Sequence, residues 1–290
     1  MKLIDGKKIA EELRNTLAAQ AAEIIDAGGE PPHLSAVLVG NDPASESYVK
    51  GKEKACKSIG FTSSVYRLPE TTKREELLEV INFLNNDDEI NGFIVQLPLP
   101  KHIDADEILQ RIDPAKDVDG FHPVNIGRMV LGLPSYLPAT PAGIMMLIEK
   151  EGIITSGKHC VVLGRSNIVG TPMSILLSRK GIDCTVTLCH SKTKNLEEIA
   201  SQADILISAI GKPKFVNENM IKKGAVVIDV GIHRIEDDSP KGYHIVGDVD
   251  FNRVASKCSY ITPVPGGVGP MTIIGLLNNT MKAYKKEIYK

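Results

Sequence analysis

The distribution of hydrophobic and polar residues predicts alternating strands and helices in the first hundred residues. Three short apolar runs rich in β-branched residues predict strands: LSAVLVG (34–40), TSSVYRL (62–68) and GFIVQLPL (92–99). Helical patterns lie between them around residues 44–58 and 73–85, and another follows near 104–111. The β-α-β-α-β order predicts a mostly parallel sheet that is covered by helices.

The second half of the chain repeats this alternation. Its candidate strands are HCVVL (159–163), CTVTL (184–188), DILISAI (204–210) and AVVIDVGI (225–232). Its candidate helices are PMSILLSRK (172–180), NLEEIASQA (195–203) and the amphipathic last segment (271–290). Between the halves lies a segment rich in proline and glycine, residues 113–143, which we interpret as active-site loops that lead into an interdomain segment.

These patterns predict an α/β protein of two domains with parallel-type sheets. We expect one domain to comprise residues 1–140 together with 271–290, and the other to comprise residues 141–270 and to be Rossmann-like. In such sheets, ligands bind at the carboxyl ends of the strands. We therefore expect an active-site cleft between the two domains.

Composition and charge narrow the class of protein. With 290 residues, 42% of them hydrophobic and 24% charged, the chain has a composition typical of a soluble globular protein. The formal net charge of −2 gives no basic field for nucleic acid or an anionic membrane. No apolar run reaches the roughly 18–20 residues that span a bilayer, and the start lacks the apolar core of a signal peptide.

The five cysteines are odd in number and scattered, and none forms a C-x-x-C pair. This pattern indicates neither a disulfide framework nor a zinc site. The sequence therefore predicts a cytoplasmic protein without a metal.

A glycine-rich turn separates the strand HCVVL from the following helix, in the sequence VLGRSNIVGTPMS (162–174). In this context backbone N–H groups and a helix N-terminus are offered to a phosphate. Five residues separate Gly164 from Gly170, so the spacing differs from G-x-G-x-x-G. Ordinary tight turns in a domain that binds no nucleotide remain an alternative. Gly211 and Gly231 follow later candidate strands, at the strand ends where a ligand would bind. They are either ligand contacts or ordinary turn glycines.

The end of the second strand of this half points to the type of dinucleotide. A carboxylate there usually binds the ribose 2′-OH of NAD, but the segment CHSKTK (189–194) has none. It offers His190, Ser191 and Lys192 instead, and Arg165 lies on the preceding loop. Hydroxyl and cationic donors bind a 2′-phosphate, which a carboxylate would repel. The pattern therefore favours NADP.

Candidate chemistry in the first half begins with Tyr48 and Lys52, which share one face of a predicted helix. A lysine on a basic helix is usually a solvated surface residue, but here an aromatic platform lies beside it. Gln96 ends a predicted buried strand, and its amide can both donate and accept. Asp117 and Asp119 lie in a turn-rich loop that lacks the other ligands of a calcium loop. Each is therefore interpreted as a substrate contact or a turn cap.

The chain resembles the bifunctional methylenetetrahydrofolate dehydrogenase/methenyltetrahydrofolate cyclohydrolase (FolD) family along essentially its whole length. The resemblance is carried by ten segments in the family's order: SESYVKGKEKA, GFIVQLPLP, KDVDGFHPVNIGR, PATPAG, VLGRSNIVGTPMS, TVTLCHSKTKNL, DILISAIGKP, VVIDVGI, GDVDF and PVPGGVGPMT.

This resemblance implies NADP-dependent oxidation of 5,10-methylenetetrahydrofolate and hydrolysis of the methenyl product to 10-formyltetrahydrofolate, without a metal. It implies that residues 1–140 and 271–290 bind folate, and that residues 141–270 bind NADP. It also implies a homodimer.

The resemblance further implies roles for individual residues. Lys52 is the principal catalytic residue and Gln96 its hydrogen-bonding neighbour. Tyr48 stacks on the folate and Asp119 contacts the pterin. The loop over the folate is shaped by Pro263, Gly266 and Gly267. The implied cofactor-binding residues are Gly164, Arg165, Ser166, Gly170, His190, Ser191, Gly211, Gly231 and Ile232.

Three other interpretations remain. A monofunctional methylenetetrahydrofolate dehydrogenase would lack the hydrolase step, although the intact set of four catalytic candidates argues against it. A two-domain dehydrogenase for an amino or shikimate-type acid would explain the glycine loop but not KDVDGFHP or PVPGGVGP. A non-catalytic NADP-binding sensor would not need a lysine beside a stacking tyrosine.

Overall fold

A computed structural model describes residues 1–240 and 242–290, which contain eleven strands and ten α-helices. The strands are β1 (Lys2–Leu3), β2 (His33–Val39), β3 (Thr62–Leu68), β4 (Gly92–Val95), β5 (His159–Leu163), β6 (Thr185–Cys189), β7 (Ile205–Ser208), β8 (Val226–Asp229), β9 (His233–Glu236), β10 (Tyr243–Val246) and β11 (Tyr260–Ile261). The helices are α1 (Gly6–Asp26), α2 (Pro43–Ser58), α3 (Arg74–Asn86), α4 (Ala105–Leu109), α5 (Pro123–Val130), α6 (Ala139–Lys150), α7 (Gly170–Ser178), α8 (Leu196–Ala200), α9 (Phe251–Val254) and α10 (Val268–Tyr284).

The chain divides into two compact units. Unit 1 consists of Met1–Glu11 and Thr140–Thr272, and unit 2 consists of Glu12–Ala139 and Ile273–Lys290. The two-domain α/β class is thus confirmed. The first eleven residues belong to unit 1 because β1 pairs in parallel with β11 and the Ile4 N–H donates to the Ile261 carbonyl at 2.8 Å.

Unit 2 is built on a three-stranded parallel sheet in the order β3-β2-β4. The central strand β2 is buried on both faces, as expected for a parallel sheet covered by helices. Helix α2 begins where the Asp42 carboxylate accepts the Ser45 N–H at 2.8 Å, with Pro43 at its first turn. It buries Val49 and Cys56 against the sheet, which leaves another face of this helix for the candidate catalytic side chains.

Unit 1 is built on a six-stranded parallel sheet in the order β1-β11-β8-β7-β5-β6. From β5 the chain first adds β6 on one side and then returns to add β7 on the other side. This reversal is a topological switch point, where the carboxyl ends of the strands form a ligand crevice. The loops after β5, β6 and β7 therefore carry the candidate cofactor residues.

The interpretation of residues 113–143 as loops is wrong in part, because this segment contains α5 and the first residues of α6. Proline fits the first turn of a helix, where its missing N–H would have no partner. Pro123 begins α5 in this way, and the Nδ1 atom of His122 accepts the Val124 N–H at 3.1 Å as the cap. Among the described residues, no helix is long and apolar enough to cross a membrane.

Candidate active site

The side chains of Lys52 and Gln96 meet in unit 2. The Lys52 Nζ atom donates to Gln96 Oε1 at 3.0 Å. The Gln96 amide is itself oriented, because its Nε2 atom donates to the Leu97 carbonyl at 2.7 Å and its backbone N–H donates to the Val37 carbonyl at 2.9 Å. The strand end therefore presents a carbonyl oxygen, and not an NH₂ group, to the amine of Lys52.

Burial and a nearby carboxylate act in opposite directions on Lys52. Burial lowers the pKa of its amine, and the negative charge of Asp119 raises it in part. Burial likewise raises the pKa of the Asp119 carboxyl, and the charge of Lys52 lowers it in part. The structure thus brings three of the four catalytic candidates, Lys52, Gln96 and Asp119, into one interacting group.

Tyr48 lies one helical turn before Lys52 on α2, and 54% of its surface is exposed. An exposed ring at this position offers an open face for stacking on a planar ligand.

Asp117 is a turn cap. Its carboxylate is buried and accepts the N–H groups of Phe121 and His122 at 3.2 and 2.8 Å and the Asn125 amide at 2.8 Å. Burial raises its pKa to about 7. These bonds fix the turn that carries Asp119, which is the neighbour that interacts with Lys52.

The predicted loop over the folate follows β11 in unit 1. The Gly266 carbonyl accepts the Lys7 N–H at 2.9 Å. A Cβ atom at Gly267 would lie 2.7 Å from the Cβ atom of Thr262, so only glycine fits there without a shift of the backbone. Pro263 lies in the same tight turn. The role of this loop toward folate stays a prediction.

Five of the nine predicted cofactor residues line one cavity of about 320 Å³ in unit 1. They come from the loops after β5 and β6, which the topology brings to the same end of the sheet. The five are Gly164, Arg165, Ser166, His190 and Ser191. Arg165 and Ser191 are exposed, so their donor groups are open to a ligand.

The glycines of this region allow loops to approach each other. Gly164 has φ +109°, and a Cβ atom there would collide with the Ala209 carbonyl oxygen. A Cβ atom at Gly170 would in turn collide with the carbonyl oxygen of Gly164. Gly211 has φ +76° and lies between Ile210 and Lys212, two further lining residues of the cavity.

Gly231 and Ile232 follow β8 and lie outside the lining of this cavity. Gly231 packs so closely on Asp248 that a Cβ atom would collide with its carboxylate. Ile232 is 48% exposed. The structure thus places these two residues at the carboxyl end of the sheet but does not join them to the other cofactor candidates.

Sequence reasoning missed several residues at this site. Leu196, Lys212 and Phe215 line the cavity, and the Lys212 Nζ atom lies 5.6 Å from the centre of the Phe215 ring. The buried carboxylate of Asp248 was missed as well. The GDVDF segment contains it, but no local pattern there indicates which loops its side chain binds.

Comparison with known proteins gives two family matches. Residues 4–119 match the family described as "Tetrahydrofolate dehydrogenase/cyclohydrolase, catalytic domain", and residues 138–288 match its "NAD(P)-binding domain". The chain is 59% identical over 293 residues to the "Bifunctional protein FolD" of Flavobacterium johnsoniae, covering 100% of this chain and 99% of the relative.

Two solved structures are similar over nearly the whole chain. The FolD methylenetetrahydrofolate dehydrogenase/cyclohydrolase of Campylobacter jejuni has a TM-score of 0.94 at 47% identity and covers 99% of both chains. The corresponding Trypanosoma brucei enzyme, complexed with NADP cofactor and inhibitor, has a TM-score of 0.93 at 37% identity and covers 99% of this chain and 98% of its own. The resemblance seen in the sequence is thereby confirmed, and the chain belongs to the tetrahydrofolate dehydrogenase/cyclohydrolase family.

Proposed function

We propose that this chain is a bifunctional enzyme of folate one-carbon metabolism. It oxidises 5,10-methylenetetrahydrofolate to the 5,10-methenyl cation with NADP and hydrolyses that cation to 10-formyltetrahydrofolate. This proposal is carried by the surroundings of the Lys52 amine. The amine donates to the oriented Gln96 amide, and its pKa is lowered by burial and raised in part by the charge of Asp119. Full-length relatives described as bifunctional favour it over the monofunctional alternative.

The oxidation places few chemical demands on side chains. NADP, when bound, accepts the hydride that leaves the methylene carbon. The two folate nitrogens stabilise the resulting cation, so no general base is needed in this step. The protein's task is to position the reactants. Tyr48 provides a stacking surface for the folate, and the Asp119 carboxylate accepts hydrogen bonds from the pterin.

The hydrolysis demands proton transfer. Water adds to the methenyl carbon and loses a proton, and one C–N bond breaks as its nitrogen gains a proton. A lysine amine whose pKa is lowered can accept and return such a proton near neutral pH. The Gln96 oxygen accepts one hydrogen of the Lys52 amine and thereby fixes its direction. Lys52 therefore acts as the proton-transfer group.

The cavity of unit 1 fits NADP. The loops after β5 and β6 offer the guanidinium of Arg165 and the hydroxyl of Ser191, and none of the described residues that line the cavity carries a carboxylate that would repel a 2′-phosphate. Arg165, Ser166 and Ser191 would bind the phosphates, and the packed Gly164 and Gly170 let the backbone approach them. The similar Trypanosoma brucei structure in complex with NADP supports this assignment.

We further propose that residues 1–140 with 271–290 form the folate-binding domain, and that residues 141–270 form the NADP-binding domain. The matches over residues 4–119 and 138–288 support a catalytic first half and a cofactor-binding second half. The compact unit of Glu12–Ala139 and Ile273–Lys290 supports the return of the last segment to the folate-binding domain. The family resemblance also supports a homodimer. The five cysteines are all free and buried, which supports the reducing cytoplasm as the location.

One assay tests the function. Purified protein is mixed with 5,10-methylenetetrahydrofolate and either NADP or NAD, while reduced nicotinamide and the methenyl chromophore are followed together. We expect reduced cofactor to form faster with NADP and little methenyl product to accumulate. Methenyltetrahydrofolate alone should lose its chromophore faster with protein than in buffer.

The other outcomes distinguish the alternatives. Accumulation of methenyl product that the protein does not hydrolyse would identify a monofunctional dehydrogenase. Absence of reaction with both cofactors would contradict the proposed function altogether.

A further inference from the structure

One buried carboxylate joins two loops at the carboxyl end of the six-stranded sheet. Asp248 has no exposed surface, and its two oxygens accept hydrogen bonds from three consecutive backbone N–H groups, one hydroxyl and one imidazole. Oδ2 accepts from the N–H of Ile210 at 2.7 Å, the N–H of Gly211 at 3.2 Å and Ser208 Oγ at 3.3 Å. Oδ1 accepts from the N–H of Lys212 at 3.0 Å and from His233 Nε2 at 2.8 Å.

This set of partners requires an acceptor at both oxygens. Backbone N–H groups only donate, and they bind both oxygens of Asp248, so the ionised carboxylate is the form that satisfies them. Hydrogen bonds to a buried charged group are strong, and leaving such donors without a partner is costly. The carboxylate therefore holds the backbone of residues 210–212 in one position.

The held loop is a wall of the cofactor cavity. Ile210 and Lys212 line the cavity, whereas Asp248 lies behind them and is fully buried. The preceding Ala209 carbonyl packs against Gly164 on the opposite glycine loop. A shift of residues 210–212 would thus change the width of the space between the two loops.

The same carboxylate holds a second loop. His233 directly follows Ile232, and Gly231 packs its Cα against Asp248. Asp248 thus contacts this segment at Gly231 and at the His233 imidazole, while the Gly231 N–H donates to Asp229 Oδ1 at 3.0 Å.

We infer that Asp248 is a positioning residue for NADP: its carboxylate fixes the loop 210–212, a wall of the cavity, and so sets the affinity for the dinucleotide without contacting it. This inference rests on the proposed function, because it assumes that the cavity binds NADP. It assigns a role to a residue outside the set of predicted cofactor contacts.

The substitution Asp248→Asn tests the inference. Its amide keeps the shape of the side chain but turns one acceptor into an NH₂ donor that faces N–H groups. We expect the dissociation constant for NADP, measured by titration calorimetry on the full chain, to rise at least tenfold. We also expect the hydrolysis of methenyltetrahydrofolate, which needs no NADP, to stay within twofold of the wild type.

Asp204→Asn is the matched control. Asp204 also accepts a backbone N–H, that of His159 at 2.9 Å, but it directly precedes β7 and so lies at the amino end of the strands, opposite the cofactor loops. This variant should bind NADP as the wild type does. An equal loss of NADP affinity in both variants would show a general loss of packing and would overturn the inference.

Two further results complete the test. A folded Asp248→Asn protein that binds NADP within twofold of the wild type would contradict the inference. Should that variant fail to fold, His233→Ala removes one bond to the carboxylate, and an increase of less than threefold in its dissociation constant would contradict the inference equally. A wild-type protein that binds no NADP would instead contradict the proposed function.

Discussion

At the scale of single residues, the candidate active site of unit 2 depends on a pair that is 44 positions apart in sequence, Lys52 and Gln96. Helical spacing predicts that Tyr48 and Lys52 share a face, and the family resemblance adds Gln96 and Asp119. The hydrogen bond that orients the amine depends on where β4 ends relative to α2. Local sequence does not contain that information. Asp248 was not predicted for the same reason: its hydrogen-bond partners come from loops that follow other strands.

Replacement of Lys52 by methionine should separate the two activities. The variant keeps the length and apolar stem of the side chain but cannot transfer a proton. We expect the hydrolysis of methenyltetrahydrofolate to fall about 100-fold or more, the usual contribution of a general acid–base group. The dehydrogenase activity should fall less, because hydride removal needs no base. Equal losses in the two assays would contradict this assignment.

Lys57→Met is the control for this variant. Lys57 lies on the same helix and forms an exposed ion pair with Glu53 at 2.9 Å. Exposed pairs of this kind contribute about 0–1 kcal/mol to stability. Both activities should therefore stay at the wild-type level.

The substitution Asp119→Asn should move the pH dependence of the hydrolysis. The negative charge of Asp119 raises the pKa of Lys52 against the lowering effect of burial. Without that charge the pKa of Lys52 falls further. The limb of the pH–rate profile that reports Lys52 should therefore move to lower pH, whichever protonation state is the active one.

Glu53→Gln serves for comparison, because Glu53 directly follows Lys52 in α2 but points its carboxylate to Lys57. Its profile should coincide with that of the wild type. A limb that moves to higher pH in Asp119→Asn would disprove the electrostatic coupling.

At the scale of elements, the buried strands of four or more residues were predictable, whereas the two-residue strands and the half-exposed hairpin were not. The runs that became β2, β5 and β7 are apolar on both faces, which is typical of parallel strands under helices. Strands β1 and β11 have two residues each, too few for any periodicity. The hairpin of β9 and β10 is half exposed, and the cation–π contact of Arg234 with Tyr243 stabilises it across the strands.

Two glycines within helices should respond oppositely to alanine. A Cβ atom at Gly170, at the start of α7, collides with the Gly164 carbonyl oxygen, so Gly170→Ala should lower the free energy of unfolding by about 1–3 kcal/mol. It should also weaken NADP binding. Gly127 in α5 is exposed with open space around it. Gly127→Ala should raise the free energy of unfolding by about 0.5–1 kcal/mol.

Denaturant unfolding and NADP titration of both variants check this prediction. A Gly170→Ala protein that matches the wild type in both measurements would show that the glycine loop tolerates a side chain, contrary to the packing described above.

At the scale of the whole molecule, neither unit is a continuous segment of the chain. The predicted boundaries included the return of the last helix to the first half, but they did not include the passage of the first eleven residues to unit 1. That passage depends on the pairing of β1 with β11, and two-residue strands leave no signal in the sequence. The last segment supplies Leu276, Leu277 and Met281 to the core of unit 2.

A fragment of unit 2 that lacks this last segment should not fold. In residues 12–139 alone, the carbonyls of Val118 and Leu137 lose the Asn279 amide, which donates to them at 2.9 and 2.8 Å. We expect no cooperative thermal transition in its circular dichroism. The same fragment joined to residues 273–290 by a short glycine–serine linker should regain one, because Gly275 packs directly on Ala139. A cooperative transition in the unlinked fragment would contradict this view of the core.

Because unit 2 is built from two distant segments of the chain, its core is completed late during translation. Translation proceeds from the N-terminus at about 5–20 residues per second, and domains generally fold as they emerge. Between residue 139 and residue 273, where the missing part of unit 2 begins, the ribosome needs roughly 7–27 s at that rate. During this interval the sheet of unit 2 lacks the helix that completes its core, while the residues of unit 1 are still being made. The nascent chain therefore exposes that apolar face until residues 273–290 have been made, and a chaperone that binds apolar segments has this interval in which to act.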